Sequence, residues 1–386
     1  MNTTSGAFNI ASIARGARIR RSPYFEATQR YGCKGYTVYN HMYLPNFYDD
    51  PVNEYWRLIH DVTLWDVSVE RIVEITGPDA FAFTNKLTPR DLNRCQVGQA
   101  RYVLITAEDG GIINDPVLLR LGENHFWLAL ADSDVLLWAK GVALNSRMAV
   151  EIREAGVFPL QVQGPKSRPV MDALFGERVL ELPYYYFIET ELDGIPVVVT
   201  RTGWTGEVGY EVFLRDGSRG VELWEKILAA GRPYNIAPIG PSDIRRIEAG
   251  ILNYGADMTL ADSPYHVGLG WLVDLEQEED FIGKEALARI KNEGVKRRLV
   301  GVEIEGDPVE FNMTRWKVSR DRAPIGHVTS AIHSPRLKKN IGYAMLPAEF
   351  TELGTQVTVD VPGSGDRLAR VARKPFVDPG KEIPKS

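Results

Sequence analysis

Apolar residues along the chain change their spacing several times, and each change marks a boundary between predicted elements. Positions 55–60 carry helical spacing. Positions 71–76 alternate apolar with polar and then meet Gly77-Pro78, as a strand meets a turn, and 79–87 reads as a short helix with that proline at its start. Two strands are predicted over 102–106 and 112–121, joined by the turn Asp109-Gly110-Gly111. A strand over 126–130 and a helix over 134–144 follow, then a strand at 160–163, a helix at 166–174 and a valine-rich strand at 195–200. A glycine-rich loop from Thr202 to Gly209 leads into a strand at 210–214, with helices predicted at 221–231 and 242–249. The aromatic run 36–42 reads as a loop. From about residue 297 the texture changes to short strands around 299–304, 323–328, 340–346 and 356–361 with Gly/Pro turns between them, the pattern of a small antiparallel β domain. No solenoid repeat and no low-complexity segment interrupts this order.

Composition narrows the classes. A chain of 386 residues suggests roughly two to three domains. With 44% hydrophobic and 25% charged residues it has ample surface to bury. The longest apolar runs, 126–131 and 135–138, are separated by Asp132 and Asp134 and fall far short of the roughly 18 residues of a membrane span. A net charge of −6 provides no global field for nucleic acid. Two cysteines allow at most one disulfide, which a chain of this length does not need. The expectation is a soluble, intracellular enzyme or binding protein. Arg15, Arg18, Arg20 and Arg21 precede the first acid, Glu26, so the N-terminus reads as a targeting segment or a flexible arm; with no apolar stretch following, the arm is preferred.

The common catalytic signatures are missing. Of the six histidines only His327 and His333 lie close together, and no cysteine or acid joins them at zinc spacing. There is no nucleophile elbow, no phosphate-binding P-loop and no dinucleotide fingerprint. What stands out is polar residues in apolar settings. Asn114-Asp115 interrupts a strand between Ile113 and Val117, where a buried unpaired carboxylate costs several kcal/mol. It is either a strand-end aspartate accepting backbone N–H bonds before Pro116 or a functional group. Glu207 in the glycine-rich loop is either solvated or ligand-facing, and Trp204, between Gly203 and Gly206, suits recognition better than packing.

Several ordered runs together resemble the glycine-cleavage T-protein (aminomethyltransferase) superfamily of tetrahydrofolate enzymes: Leu64-Trp65-Asp66-Val67-Ser68, Gly98-Gln99-Ala100-Arg101-Tyr102, Gly110-Gly111-Ile112-Ile113-Asn114-Asp115, Gln163-Gly164-Pro165, Arg201-Thr202-Gly203-Trp204-Thr205-Gly206-Glu207, Arg246-Ile247-Glu248-Ala249-Gly250 and Val328-Thr329-Ser330. The chain departs from the usual aminomethyltransferase pattern at Val69-Glu70, where those enzymes read His-Met, at Asn114, where they read Asp, and at Ser242, where they read Arg. A narrower likeness, to the dimethylsulfoniopropionate demethylases, rests on the run from Gly35 to Met42, on Thr88-Pro89-Arg90-Asp91-Leu92, on Asn114-Asp115-Pro116 and on the run from Ala131 to Leu136.

The resemblance implies an α+β, three-lobed folate-binding fold: an arm over 1–29, two interleaved lobes over 30–285 and a C-terminal antiparallel β-barrel over 297–376. It implies a cytoplasmic, monomeric or homodimeric methyltransferase that moves a methyl group from a sulfonium zwitterion to N5 of tetrahydrofolate, with no metal, nucleic-acid or membrane partner. Glycine betaine or another methylamine, and aminomethyl transfer from a lipoyl carrier, stand as alternatives. A non-catalytic folate-binding role in iron–sulfur assembly fits less well, because neither Cys33 nor Cys95 falls in the motif such relatives carry. The residues implied are Asp115 to orient N5 or take its proton, Tyr102 to line the pocket and Glu207 to bind the amino-pyrimidine edge. Trp204 and Phe213 would border the substrate, and Lys34 would meet its carboxylate. Arg336, Lys338 and Lys339 either meet the folate glutamate tail or form a solvated basic turn.

Overall fold

The computed structural model describes residues 16–386. Arg15 and the first half of the expected arm lie outside the described residues. Within the arm, Arg20 exchanges backbone hydrogen bonds with His41 and Tyr43 at 2.8 and 3.0 Å, and its side chain pairs with Glu154 at 2.8 Å.

Three sheets carry the structure, in a mixed α+β arrangement that ends in a closed barrel. A five-stranded antiparallel sheet has the order Glu151–Glu154, Val73–Thr76, His125–Ala129, Val117–Gly122, Ala100–Tyr102. A six-stranded sheet has the order Phe187–Leu192, Ile195–Thr200, Gly209–Leu214, Phe158–Gln163, Thr63–Asp66, Ala237–Pro238, with only the last pair parallel. The barrel closes through Arg297–Ile304, Lys339–Pro347, Ala323–Ser334, Trp316–Arg320, Gln356–Val361 and Gly365–Ala372.

The first two sheets exchange chain. After Thr63–Asp66 in the six-stranded sheet, the turn Ser68–Glu70 carries the backbone into Val73–Thr76 of the five-stranded one. It returns between Glu151–Glu154 and Phe158–Gln163, and the two crossings touch where Ala155 N–H donates to the Ile72 carbonyl at 2.8 Å. Each sheet is covered by helices on one side: Ser167–Phe175 and Gly220–Gly231 over the six-stranded sheet, Ala80–Leu87 and Val135–Ser146 over the other. The remaining faces meet in a shared core of Ile72, Leu119, Trp127, Val198 and Phe213. Strands buried on both faces carry continuous apolar runs, which is why 195–200 shows unbroken valines and little alternation.

Three expectations change. The aromatic segment 36–42 is a β-hairpin, Gly35–Tyr39 against Met42–Phe47. Its two-residue turn is Asn40-His41, both at positive φ (46° and 63°), a conformation asparagine tolerates well. The predicted strand at 112–121 splits into Ile112–Asn114 and Val117–Gly122, because Pro116 has no N–H to continue a ladder. Its partner divides likewise into Ala100–Tyr102 and Ile105–Thr106. Two barrel strands, Trp316–Arg320 and Gly365–Ala372, lie outside the predicted set; their exposed faces carry Arg and Lys residues that dilute the apolar signal.

One buried cation ties the lobes to the barrel. Arg246, on the short helix Asp243–Glu248, is fully buried and donates from Nε to Asp243 at 2.6 Å, from Nη1 to Asp257 at 2.9 Å and from Nη2 to Ser330 Oγ in the barrel at 3.0 Å. The other Asp257 oxygen accepts from Thr329 and Ser330, both at 2.6 Å. Removing the guanidinium would leave Asp257 as a buried, unneutralised charge. Arg246→Met should therefore lower unfolding free energy by about 3–5 kcal/mol in urea titration; a loss below about 1 kcal/mol would contradict this role.

Candidate active site

A cavity of about 2260 Å³ lies where the two sheets, the hairpin and the barrel converge. Tyr102, Asp115, Gln161, Trp204 and Glu211 all line it.

Asp115 is placed by the break in its strand. Tyr102 is in register with Val117 and Ile105 with Asn114, so Asp115 stands in the gap between two short ladders, opposite the Tyr102 ring. Its predecessor holds it there. Asn114 is wholly buried; its amide donates to the Ala131 carbonyl at 2.9 Å and to Ser133 Oγ at 2.7 Å, and its oxygen accepts the Ala131 N–H at 3.0 Å. Tyr102 donates to Asp115 Oδ2 at 2.9 Å, while Oδ1 is buried with no partner. Loss of solvent raises the Asp115 carboxyl to about 7, against the opposing pull of the Tyr102 hydrogen bond. The result is a carboxylate with one oxygen anchored and one free, half-ionised near neutrality.

Trp204 lines the cavity and rests on the Leu58–Trp65–Val67–Ile239 cluster, with the Arg246 guanidinium 5.6 Å from its ring centre. The glycines around it serve an internal purpose. A Cβ at Gly203 or Gly209 would collide with the buried Gln163 amide, which donates to the Thr202 and Tyr210 carbonyls at 3.1 and 3.2 Å and accepts from Thr205 at 2.7 Å. The loop is thus wrapped around a glutamine, and glycine at 203 and 209 follows from that packing. Lys34 stands at the cavity rim with its side chain 56% exposed, 3.8 Å from Asp49.

Two expected site residues are placed elsewhere. Glu207 is not among the described residues that line the cavity: it accepts from Arg245 Nε at 2.7 Å, with Arg336 at 3.8 Å, and so neutralises a buried arginine. Phe213 is fully buried in the core between the sheets, its ring 6.3 Å from that of Trp127, and does not reach the cavity either. The basic turn is also engaged, through Arg336 to Glu207 and Lys339 to Glu303 at 2.8 Å.

Two further carboxylates, Glu211 and Glu70, line the cavity. Glu211 lies two residues before Phe213 on the strand Gly209–Leu214 and is 4% exposed. It accepts from Gln161 Nε2 at 2.7 Å and from the Thr202 hydroxyl, and burial raises its carboxyl above the ordinary range. An acid inside an apolar strand is the same signal that singled out Asp115, and it was available here. Glu70 also lines the cavity; its signal was the departure from the aminomethyltransferase pattern.

Comparison with known proteins agrees with this architecture. The GCVT N-terminal domain matches residues 24–277 and the glycine cleavage T-protein C-terminal barrel domain matches residues 297–378, and the chain belongs to this family. Its members use tetrahydrofolate, and the chain is a tetrahydrofolate-dependent transferase. It is 37% identical over 353 residues to the dimethylsulfoniopropionate demethylase of Ruegeria pomeroyi, covering 92% of this chain and 96% of that protein. The aminomethyltransferase of Bacillus subtilis is 31% identical over 367 residues, 93% of this chain and 99% of its own. The crystal structure of aminomethyltransferase T from Bartonella henselae superposes with a TM-score of 0.84 at 25% identity, over 93% of this chain and 98% of that one.

Burial of the Asp115 charge has a thermodynamic consequence. A carboxyl raised on folding weakens the native state above its folded pKa, and the penalty is relieved as pH falls through about 7. Asp115→Asn should therefore raise Tm more at about pH 8 than at about pH 5; an equal shift at both, read by differential scanning calorimetry, would show that the charge is not the cause.

Proposed function

We propose that the chain is a demethylase that takes a methyl group from dimethylsulfoniopropionate or a similar sulfonium zwitterion. The observation that carries this reading is Asp115, with one free oxygen and a carboxyl at about 7, facing the central cavity. The identity to a protein of that activity over nearly the whole chain supports the donor.

Bound tetrahydrofolate supplies the N5 amine that accepts the methyl group and sheds a proton, while the sulfonium leaves as a neutral thioether. No acid is needed for the leaving group; a proton acceptor and close orientation are needed. Asp115 would be the acceptor, with Oδ2 held by Tyr102, its backbone fixed beside Asn114 and Oδ1 left uncommitted. Glu211 and Gln161 would hold the amino-pyrimidine rim: a carboxylate takes two N–H donors, and Gln161 Oε1 is a buried acceptor without a partner. This assigns to Glu211 the role expected of Glu207. Trp204 forms an aromatic wall for the donor, and Lys34 at the rim is available to its carboxylate.

All these groups come from one chain, which suits a monomer as well as a homodimer. Both cysteines are free, in keeping with a reducing, cytoplasmic setting, and no described helix is long and apolar enough to cross a membrane.

Anaerobic incubation with tetrahydrofolate and dimethylsulfoniopropionate should yield 5-methyltetrahydrofolate. Product from glycine betaine alone would transfer the reading to a quaternary ammonium donor, and product from neither would overturn it. Asp115→Asn should lower kcat by about 10²–10⁴ with the folate dissociation constant little changed. Because Asp115 must be ionised, kcat/KM of the native enzyme should rise with pH and level off above about 7, a limb the variant lacks. Glu211→Gln should weaken tetrahydrofolate binding about tenfold or more by calorimetry; unchanged affinity would remove Glu211 from the pterin site.

A further inference from the structure

Glu70 ends the turn Ser68–Glu70 that carries the chain from one sheet to the other, so it stands where both sheets face the cavity. Its backbone is fixed on both sides: the N–H donates to the Val67 carbonyl at 3.0 Å and the carbonyl accepts from Leu130 at 2.7 Å. Its carboxylate, by contrast, has neither a hydrogen bond nor a cation among the described residues. Arg71, its neighbour in sequence, is spent, since it pairs with Glu154 at 2.6 Å, as does Arg20 at 2.8 Å.

The titratable groups that act on Glu70 are Glu211, from the strand Gly209–Leu214, and Tyr39, from the hairpin. Loss of solvent, and after it the like charge of Glu211, push the Glu70 carboxyl up. Tyr39 brings an aromatic ring. A further, independent observation comes from Gln161, only 1% exposed, whose Oε1 has no partner while its Nε2 is committed to Glu211. This corner of the cavity therefore offers acceptors, a ring and two neighbouring carboxyls whose ionisation a bound cation would favour, and among the described residues it lacks a cation of its own.

Two kinds of ligand group satisfy acceptors. One with N–H donors suits Gln161 and Glu211. A sulfonium or quaternary ammonium has no N–H or O–H to give, and needs uncommitted negative charge beside apolar or aromatic walls. Trp204 meets that need poorly by itself, since the Arg246 guanidinium already lies over its ring, 5.6 Å from the centre. Resting on the demethylase reading, we infer that Glu70 is the counter-ion of the methylated cation and makes the site select a charged methyl donor over its neutral isostere.

The test compares dimethylsulfoniopropionate with 4-methylpentanoate, which replaces the sulfonium by a CH group and keeps the shape. Glu70→Gln should raise KM for the sulfonium by about tenfold or more, while the inhibition constant of 4-methylpentanoate and the calorimetric tetrahydrofolate affinity stay within about twofold. Glu70→Met, of similar volume and no charge, should behave alike, and Glu70→Asp should recover most of the preference. Equal weakening of cation and isostere would reduce Glu70 to a structural role, and an unchanged KM would remove it from the site. Both outcomes leave the demethylase reading standing. Failure of the native enzyme to transfer a methyl group from either dimethylsulfoniopropionate or glycine betaine would overturn that reading, and this inference with it.

Discussion

A guanidinium withdrawn from water must be neutralised where it stands, and at Arg246 that requirement organises the molecule. Asp243, Asp257 and the barrel hydroxyl of Ser330 are all drawn onto one side chain. Its neighbour Arg245 turns the other way, to Glu207 and the Gly206 carbonyl of the glycine-rich loop, at 2.7 and 2.9 Å. Two consecutive arginines on a helix of 6 residues thus fix the loop bearing Trp204 and the barrel to the same support. The cavity walls that these parts supply inherit their positions from charge compensation as much as from apolar packing.

The acids in and around the cavity form a graded series. Glu207 is fully paired with arginine, and its charge does structural work. Glu211 is stabilised by neutral donors from Gln161 and Thr202, so it keeps acceptor capacity for a ligand. Asp115 is half satisfied, by Tyr102 alone, and burial brings its protonation into the neutral range. Among the described residues, nothing pairs with the Glu70 carboxylate. The less a carboxylate is compensated within the fold, the more its chemistry is reserved for what binds. This ordering separates framework from site without reference to sequence position, and it assigns different tasks to acids that look alike in the chain.

Local signals in the chain carried much of this architecture. The period changes located most helices and strands, the Gly/Pro-punctuated C-terminal strands announced the barrel domain, and an aspartate beside a proline in an apolar run pointed to Asp115. These features are legible because spacing, turn residues and a missing N–H act within a few residues. Ordered motifs extended this to the family and to tetrahydrofolate. The hairpin at 35–47 was obscured because its aromatic residues and its Asn40-His41 turn resemble a loop when strand pairing is not visible.

Distances between segments decided the rest. Glu207, Glu211 and Phe213 lie within seven positions of one another, and although Glu211 is marked locally as an acid in an apolar strand, local pattern does not say which of the three reaches the cavity. Whether each meets an arginine, the cavity or the inter-sheet core depends on elements far away in sequence, Arg245, Gln161 and Trp127 among them. Glu70 is the clearest case: it stands where two sheets cross, its neighbour Arg71 is engaged by Glu154, and no partner meets it among the described residues. Pattern along the chain is set by short-range sterics and hydrogen bonding, whereas compensation of buried charge is a property of the assembled neighbourhood, and only the folded chain has one.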